Sequence, residues 1–301
     1  MTGFVHQPTV NQSVRPVIQP LRRIPLALRD AVEAELQRLA EADVIESVNA
    51  SPWVSNLVIA KKKGGGLRLC VDLTDVNKAI IPDKYPLPTA EELTSHFHGS
   101  TVFSKMDLRN GYLQVPIAQA SMDLTAFVTH MGFFRFKHMT FGLSSAPSCF
   151  QKIMSLILAG IQGVSIYLDD VVVHAPSTTL HDARLVQVFQ RFEQHGVTLN
   201  AEKCMFGVEE VEFLGFRLSK EGITPIMSHT EAILSLPDPQ SPSQPSSFLG
   251  MVAYYLRFMP HFSDSTAPLR RLLRKEAVWD WTPACHEAVC VIKQQLTPRP
   301  H

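Results

Sequence analysis

The chain has 301 residues, 45% hydrophobic and 19% charged, and its 28 Lys and Arg balance 28 Asp and Glu. That composition supports a buried core in about two domains, or one lobed domain, and excludes a disordered or low-complexity chain. Five cysteines without a C-x-x-C pair exclude a disulfide scaffold, and Cys285-His286 and Cys290 lack the second pair that a zinc knuckle needs. Reduced thiols in an intracellular setting are expected.

Zero net charge is not the basic excess common in nucleic-acid-binding domains. Positive charge nevertheless gathers locally at Lys61-Lys62-Lys63 and at Arg270, Arg271, Arg274 and Lys275. No basic-then-apolar leader opens the sequence. The most apolar stretch, residues 153–175, is interrupted by Gly160, Gly163 and Asp169-Asp170, so no membrane span is expected.

Residues 1–26, rich in Pro and Gln, are expected to form an extended arm. From Pro25, Leu28, Val32, Leu36 and Leu39 repeat at helical spacing, and Ser51-Pro52 breaks the pattern. Residues 54–60 and 67–73 form a hairpin whose tip is Lys61-Lys62-Lys63-Gly64-Gly65-Gly66, either a phosphate-reaching loop or a solvated one. Prolines keep 80–88 extended. A strand from Val102 ends at Asp107, before the turn dipeptide Asn110-Gly111. Residues 127–136 form a hairpin around Met131-Gly132. Ser144 or Ser145 caps a helix with Pro147 in its first turn and Phe150, Ile153, Met154 and Ile157 on its buried face.

Val164, Ile166 and Leu168 lead into Asp169-Asp170, and Val171-Val172-Val173 lead out, which predicts a hairpin with carboxylates at its bend. A helix with Leu185, Val188, Phe189 and Phe192 on one face stops at Gly196. Residues 213–216 belong to another short hairpin. Beyond a linker holding Pro237, Pro239, Pro242 and Pro245 come a helix marked by Phe248, Leu249, Val252, Tyr255 and Leu256, a basic helix over 269–275, and a last helix with Val289, Ile292 and Leu296 on one face. The pattern is α+β. No Gly-rich dinucleotide or P-loop turn is present.

Two adjacent carboxylates at the bend of an apolar hairpin repel each other unless a cation compensates them. Asp107, at another strand end, completes an all-oxygen set of the kind magnesium prefers. Two such ions about 4 Å apart clamp the attacking and leaving oxygens of a phosphoryl transfer.

These residues sit in a longer ordered series. Tyr167-Leu168-Asp169-Asp170 resembles the YxDD box of reverse transcriptases, and Met106-Asp107-Leu108-Arg109-Asn110-Gly111-Tyr112 resembles their first metal-binding motif. Ser51-Pro52-Trp53, Leu69-Cys70-Val71-Asp72, Asn77-Lys78, Tyr85-Pro86-Leu87-Pro88, Phe141-Gly142-Leu143, Phe150-Gln151, Glu202-Lys203-Cys204, Val211-Glu212-Phe213-Leu214-Gly215 and Tyr254-Tyr255 follow in the order of gypsy-type LTR retrotransposons. Arg257-Phe258 and Ala267-Pro268-Leu269 extend the resemblance over nearly the whole chain.

The resemblance implies a right-hand polymerase fold. It assigns 1–82 to an arm and fingers, 83–222 to a palm with a fingers insertion at about 115–145, 223–275 to a thumb, and 276–301 to a connection toward an absent ribonuclease H domain. It implies RNA-directed DNA synthesis on an RNA or DNA template–primer with dNTPs, using two Mg2+ ions for which Mn2+ can substitute. The ligands would be Asp107, Asp169, Asp170 and the main-chain carbonyl of Leu108. Lys62 and Arg68 would contact the triphosphate, Tyr112 would exclude a 2′-hydroxyl, and Phe141 and Gly142 would line the nucleotide pocket. Phe213, Leu214 and Gly215 would form a primer grip.

Tyr112 and Phe141 as core aromatics, and Phe213 and Leu214 as strand packing, remain alternatives, and Asp72 is expected to be structural. Leu124, Thr140, Thr74 and Leu113 stand where the family usually carries Lys, Pro, Arg and His, yet all three carboxylates are kept. Ribonuclease H and integrase domains are expected in a parent polyprotein, with the chain placed in cytoplasm, retroelement particles or nucleus. Ribonuclease H activity is not expected of this chain. The rival reading is a retroelement-derived remnant that binds nucleic acid without catalysis.

Overall fold

Three leucines and a valine at helical spacing produce α1 (Leu26–Glu41), which buries Val32, Leu36 and Leu39. The computed structural model describes residues 1–61, 66–255, 262–274 and 278–296. Lys62, Lys63, Gly64, Gly65, Leu256, the Arg257-Phe258 motif and Lys275 lie outside the described residues. The described part divides into two compact units, Met1–Val208 and Glu209–His301.

In the first unit α1 ends well before Ser51-Pro52, with Asp43 turning the chain at φ 56°. A strand absent from the sequence reading follows, β1 (Ile45–Val48). Next come β2 (Ser55–Lys61), β3 (Leu67–Val71), α2 (Thr74–Ala79), α3 (Ala90–Ser95) and β4 (Val102–Asp107). A one-turn 3-10 helix at Gly111–Gln114 and a second at Gln119–Thr125 lead to β5 (Phe127–Thr129) and β6 (Gly132–Phe136). The unit closes with α4 (Ala146–Ile157), β7 (Val164–Tyr167), β8 (Asp170–Ala175), α5 (Thr178–His195) and β9 (Met205–Val208).

Two sheets organise these elements. One runs β1-β6-β5-β2-β3, with β2 and β5 parallel, and the other runs β7-β8-β4-β9, all antiparallel. Phe103, Met106, Phe127, Phe136, Phe150 and Val171 are buried between sheets and helices. The N-terminal residues form no free arm. They bridge the body at His6–Ile117, Val10–Ile80 and Ile18–Val54.

Two local expectations give way to tertiary contacts. Ser145 stands at the start of α4 but does not cap it with its side chain, because its hydroxyl is bonded to His6 Nε2 at 3.0 Å. Phe189 is exposed on α5 and packs at a tilt against Phe206, with ring centroids 5.9 Å apart. Gly196 does stop α5 in the left-handed conformation, at φ 62°.

The second unit opens with a three-stranded antiparallel sheet of β10 (Glu210–Phe213), β11 (Phe216–Ser219) and β12 (Gly222–Pro225). These strands pair only with one another in that sheet, within the second compact unit. Helices α6 (Met227–Leu234), α7 (Gln244–Ala253), α8 (Phe262–Leu272) and α9 (Pro283–Leu296) follow. The basic helix therefore begins at Phe262, earlier than its leucine pattern suggested. α9 packs on α6 and α8 through Val289, Ile292 and Leu296. Among the described residues no helix is long and apolar enough to cross a membrane.

Candidate active site

β4 and β8 are hydrogen-bonded in a register that sets Asp107 directly opposite Asp170. Opposed residues of an antiparallel pair share a face with their Cβ atoms about 5 Å apart, and like charges there destabilise the sheet. The end of β4 is pinned by the Asn200 amide, which donates to the Asp107 carbonyl at 2.9 Å, and by the Leu108 amide, which donates to the Asp169 carbonyl at 3.2 Å.

Asp169 sits in the two-residue turn between β7 and β8. Leu168 adopts φ 54° there, a left-handed conformation costing a non-glycine residue about 1–2 kcal/mol. A buried side chain on α4 holds it: Gln151 Nε2 donates to the Ile166 carbonyl at 3.0 Å, and Gln151 Oε1 accepts from the Leu168 amide at 2.8 Å. Gly111 lies beneath the turn. A Cβ at that position would stand 3.1 Å from both Asp169 Cβ and Phe150 Cζ.

The three carboxylates feel one another. Removal of water around the turn, followed by the charges of Asp170 and Asp107, raises the Asp169 pKa above the ordinary carboxylate value, against its own backbone amide and Lys203. Lys105 stands 3.3 Å from Asp170 and Lys203 stands 3.5 Å from Asp107. This all-oxygen donor set fits a hard divalent cation. Among the described residues no three such side chains close on one point, and the two lysines supply the countercharge at Asp107 and Asp170.

A line of rings leads from this turn to the β2–β3 hairpin. Tyr112 meets Phe150 edge-on at 5.2 Å and Phe141 at 4.9 Å, and the Arg68 guanidinium lies 5.1 Å from the Phe141 centroid. Burial, reinforced by Asp169 and Tyr167, pushes the Tyr112 hydroxyl up to about 12. Gly142 turns at φ 97°, with space for a Cβ closed by the Val71 carbonyl oxygen at 3.1 Å. Asn77 fixes this loop, donating to the Gly142 carbonyl at 2.7 Å and accepting from the Ser144 amide at 2.9 Å. Lys62 lies outside the described residues.

The family model described as "Reverse transcriptase (RNA-dependent DNA polymerase)" matches residues 60–218, more than half of the chain, and spans all of these groups. The chain belongs to the reverse transcriptase family. An uncharacterized protein of Caenorhabditis elegans is 40% identical over 247 residues, 81% of this chain and 19% of that protein. The transposon Tf2-3 polyprotein of Schizosaccharomyces pombe is 33% identical over 288 residues, 93% of this chain and 21% of the polyprotein. The chain thus spans about a fifth of the length of these relatives.

Among solved structures, a foamy viral protease-reverse transcriptase in complex with double-stranded DNA superposes with a TM-score of 0.84 at 22% identity, covering 96% of this chain and 51% of that one. The same viral protein in complex with RNA/DNA hybrid gives 0.78 at 22% identity, over 97% of this chain and 40% of that one. The fold is the α+β right-hand polymerase fold.

In this chain the expected residues fall into three places. Asp107 and Asp170 are paired at the ends of β4 and β8 with Asp169 in the adjoining turn, and Leu108 is buried and bridged to Leu199. Arg68, Tyr112, Phe141 and Gly142 form the adjoining ring line. Phe213, Leu214 and Gly215 lie in the second unit at the β10–β11 turn, where Leu214 and Gly215 take φ 49° and 73°. Phe213 is buried, and the Tyr254 hydroxyl donates to the Leu214 carbonyl. Asp72 accepts from Thr74 Oγ1 at 2.7 Å and faces Arg22 at 3.7 Å.

Sequence reasoning quoted Gln151, Asn77 and Lys203 inside motifs without giving them work. Gln151 had a usable signal, being the polar residue among Phe150, Ile153, Met154 and Ile157 on the buried face of α4.

Proposed function

We propose that this chain is the polymerase part of a gypsy-type LTR retrotransposon polyprotein, whose parent also carries ribonuclease H and integrase domains. It extends a primer on an RNA or DNA template by adding dNTPs. The observation that carries this reading is the in-register pairing of Asp107 with Asp170 beside the strained turn that presents Asp169.

Asp107, Asp169 and Asp170, with the Leu108 carbonyl, would hold two Mg2+ ions, and Mn2+ offers similar oxygen affinity. When bound, such ions supply Lewis-acid charge to the attacking and leaving oxygens of phosphoryl transfer. The chain's own groups do the positioning. Three carboxylates lie at the ends of β4 and β8 and in the turn between β7 and β8, Arg68 offers a planar fork to a triphosphate, and Lys62 adds a second cation. Tyr112, braced by Phe141 and Phe150, occupies the place of a sugar platform and disfavours a 2′-hydroxyl. Gly142 lets backbone approach the nucleotide. Phe213, Leu214 and Gly215 grip the primer end through a rigid turn. Fingers (1–82 and about 115–145), palm (83–114 and 146–222), thumb (223–275) and connection (276–301) follow from the same reading. In the reaction the primer 3′-hydroxyl attacks the α-phosphorus of the dNTP, and pyrophosphate leaves.

Extension of a labelled primer on RNA and DNA templates with magnesium or manganese tests the proposal. The unmutated chain should extend. Asn at Asp107, Asp169 or Asp170 should abolish extension while leaving template–primer binding, which rests on phosphate contacts, within a few fold. A chain that binds template–primer yet never extends it would establish the inactive remnant instead.

A further inference from the structure

The opposite end of the β7–β8 hairpin, about 13 Å along β8 from Asp170 at roughly 3.3 Å per residue, borders a cavity of about 500 Å³. Its wall carries Arg184, His174, His96, His98, Ser100 and Gly163 and no carboxylate. Among the described residues Arg184 has no acidic side chain within ion-pair distance. Its Nη1 donates to the His174 carbonyl at 2.6 Å, leaving the other donors of a five-donor fork for a ligand.

The wall is built around this cation. Gly163, at φ 65°, would place a Cβ 2.2 Å from Arg184 Nη1 and 2.6 Å from the His174 carbonyl oxygen. Only glycine leaves room for the guanidinium there. His174 is 4% exposed; its Nδ1 meets the Ser100 hydroxyl at 2.8 Å, while its buried Nε2 has no hydrogen-bond partner. In the tautomer where Ser100 donates to Nδ1, Nε2 carries a proton without an acceptor, a costly condition for a buried donor. Burial, then the charges of Arg184 and His96, push His174 down to about 4, so a positive field and a neutral imidazole coexist in the wall.

We infer that this cavity is a binding site for a small phosphate-class oxyanion, such as inorganic pyrophosphate or the phosphate tail of a free nucleotide. Planar guanidinium donors match phosphate oxygens in pairs. The exposed imidazole groups of His96 and His98 offer further donors. The Asp107–Asp169–Asp170 cluster, acidic and at the other end of the strands, plays no part in this site.

Calorimetric titration of the full chain with sodium pyrophosphate in EDTA, without divalent cation, tests the inference. Saturable binding is expected, weakened tenfold or more by Arg184→Gln and about threefold by His98→Gln. Because Arg184→Gln also removes a bond to the His174 carbonyl, the exposed His98→Gln variant keeps the test valid if the first fails to fold. Nitrogen-15 spectra should show the His98 ring resonances moving with pyrophosphate. An absence of saturable binding, or loss with Arg68→Gln but not with Arg184→Gln or His98→Gln, would overturn the site. Displacement of pyrophosphate by duplex template–primer would overturn the assignment to a small solute in favour of a nucleic acid phosphate.

Discussion

Replacing Gln151 by Met removes the clamp on the Leu168–Asp169 turn while nearly conserving side-chain length and volume, so packing losses stay small. Two hydrogen bonds disappear, at 3.0 Å to the Ile166 carbonyl and at 2.8 Å from the Leu168 amide. A typical bond contributes about 1 kcal/mol net, and a buried group left unpaired costs about 1–3 kcal/mol. The sum for Gln151→Met is about 2–4 kcal/mol, because the Leu168 amide has no alternative acceptor in a turn already held at φ 54°. Urea unfolding should register that loss as a lower midpoint at unchanged slope. Primer extension at a temperature where the variant stays folded should fall at least tenfold, since Asp169 loses its fixed position. A variant within about 0.5 kcal/mol of the parent that also extends normally would refute the view that Gln151 sets the turn.

Asp169→Asn should abolish extension and raise the unfolding midpoint at neutral pH. The folded pKa of Asp169 lies above its ordinary 3.8, so its ionised form opposes folding above that raised value, and the advantage of Asn should fade as pH drops toward 3.8. Tyr112→Ala should raise ribonucleotide incorporation relative to deoxyribonucleotide, measured by competition on one template; an unchanged ratio in a variant that still extends returns Tyr112 to a packing role. His6 is pushed from 6.5 down to about 4, mainly by burial, so the fold keeps it neutral while the unfolded chain takes up a proton. About 3 kcal/mol of stability, complete above pH 6.5, should therefore drain away between pH 6.5 and 4. His174 adds a loss in the same window, so His6→Gln should flatten the stability–pH curve without levelling it.

The strand ends that carry Asp107, Asp169 and Asp170 were legible because apolar β-forming runs stop at carboxylates, a pattern that burial and charge make costly elsewhere. Helices α1 and α9 were legible from spacing alone. Other features depend on partners far away in the chain. β1 has four residues, Ile45-Glu46-Ser47-Val48, and becomes a strand by pairing with Phe133–Phe136. Ser145 reads as a cap but bonds to His6, 139 residues earlier. Phe189 fits the apolar stripe of α5, yet faces outward beside Phe206. Residues 1–26, without periodicity, gave no hint that the body would hold them.

That last feature bears on the order of assembly. The His6 amide bonds to the Pro116 carbonyl, the Asn11 amide to Ala79 and the Gln19 amide to Val54, each at 2.8 Å. None of these acceptors is local, and closing such loops costs entropy that only a formed surface can offset. The first twenty residues are therefore a late belt, fastened onto sheets and helices that have already condensed. In hydrogen exchange their amides should lose protection before those of β4 and β8. During refolding they should recover it last.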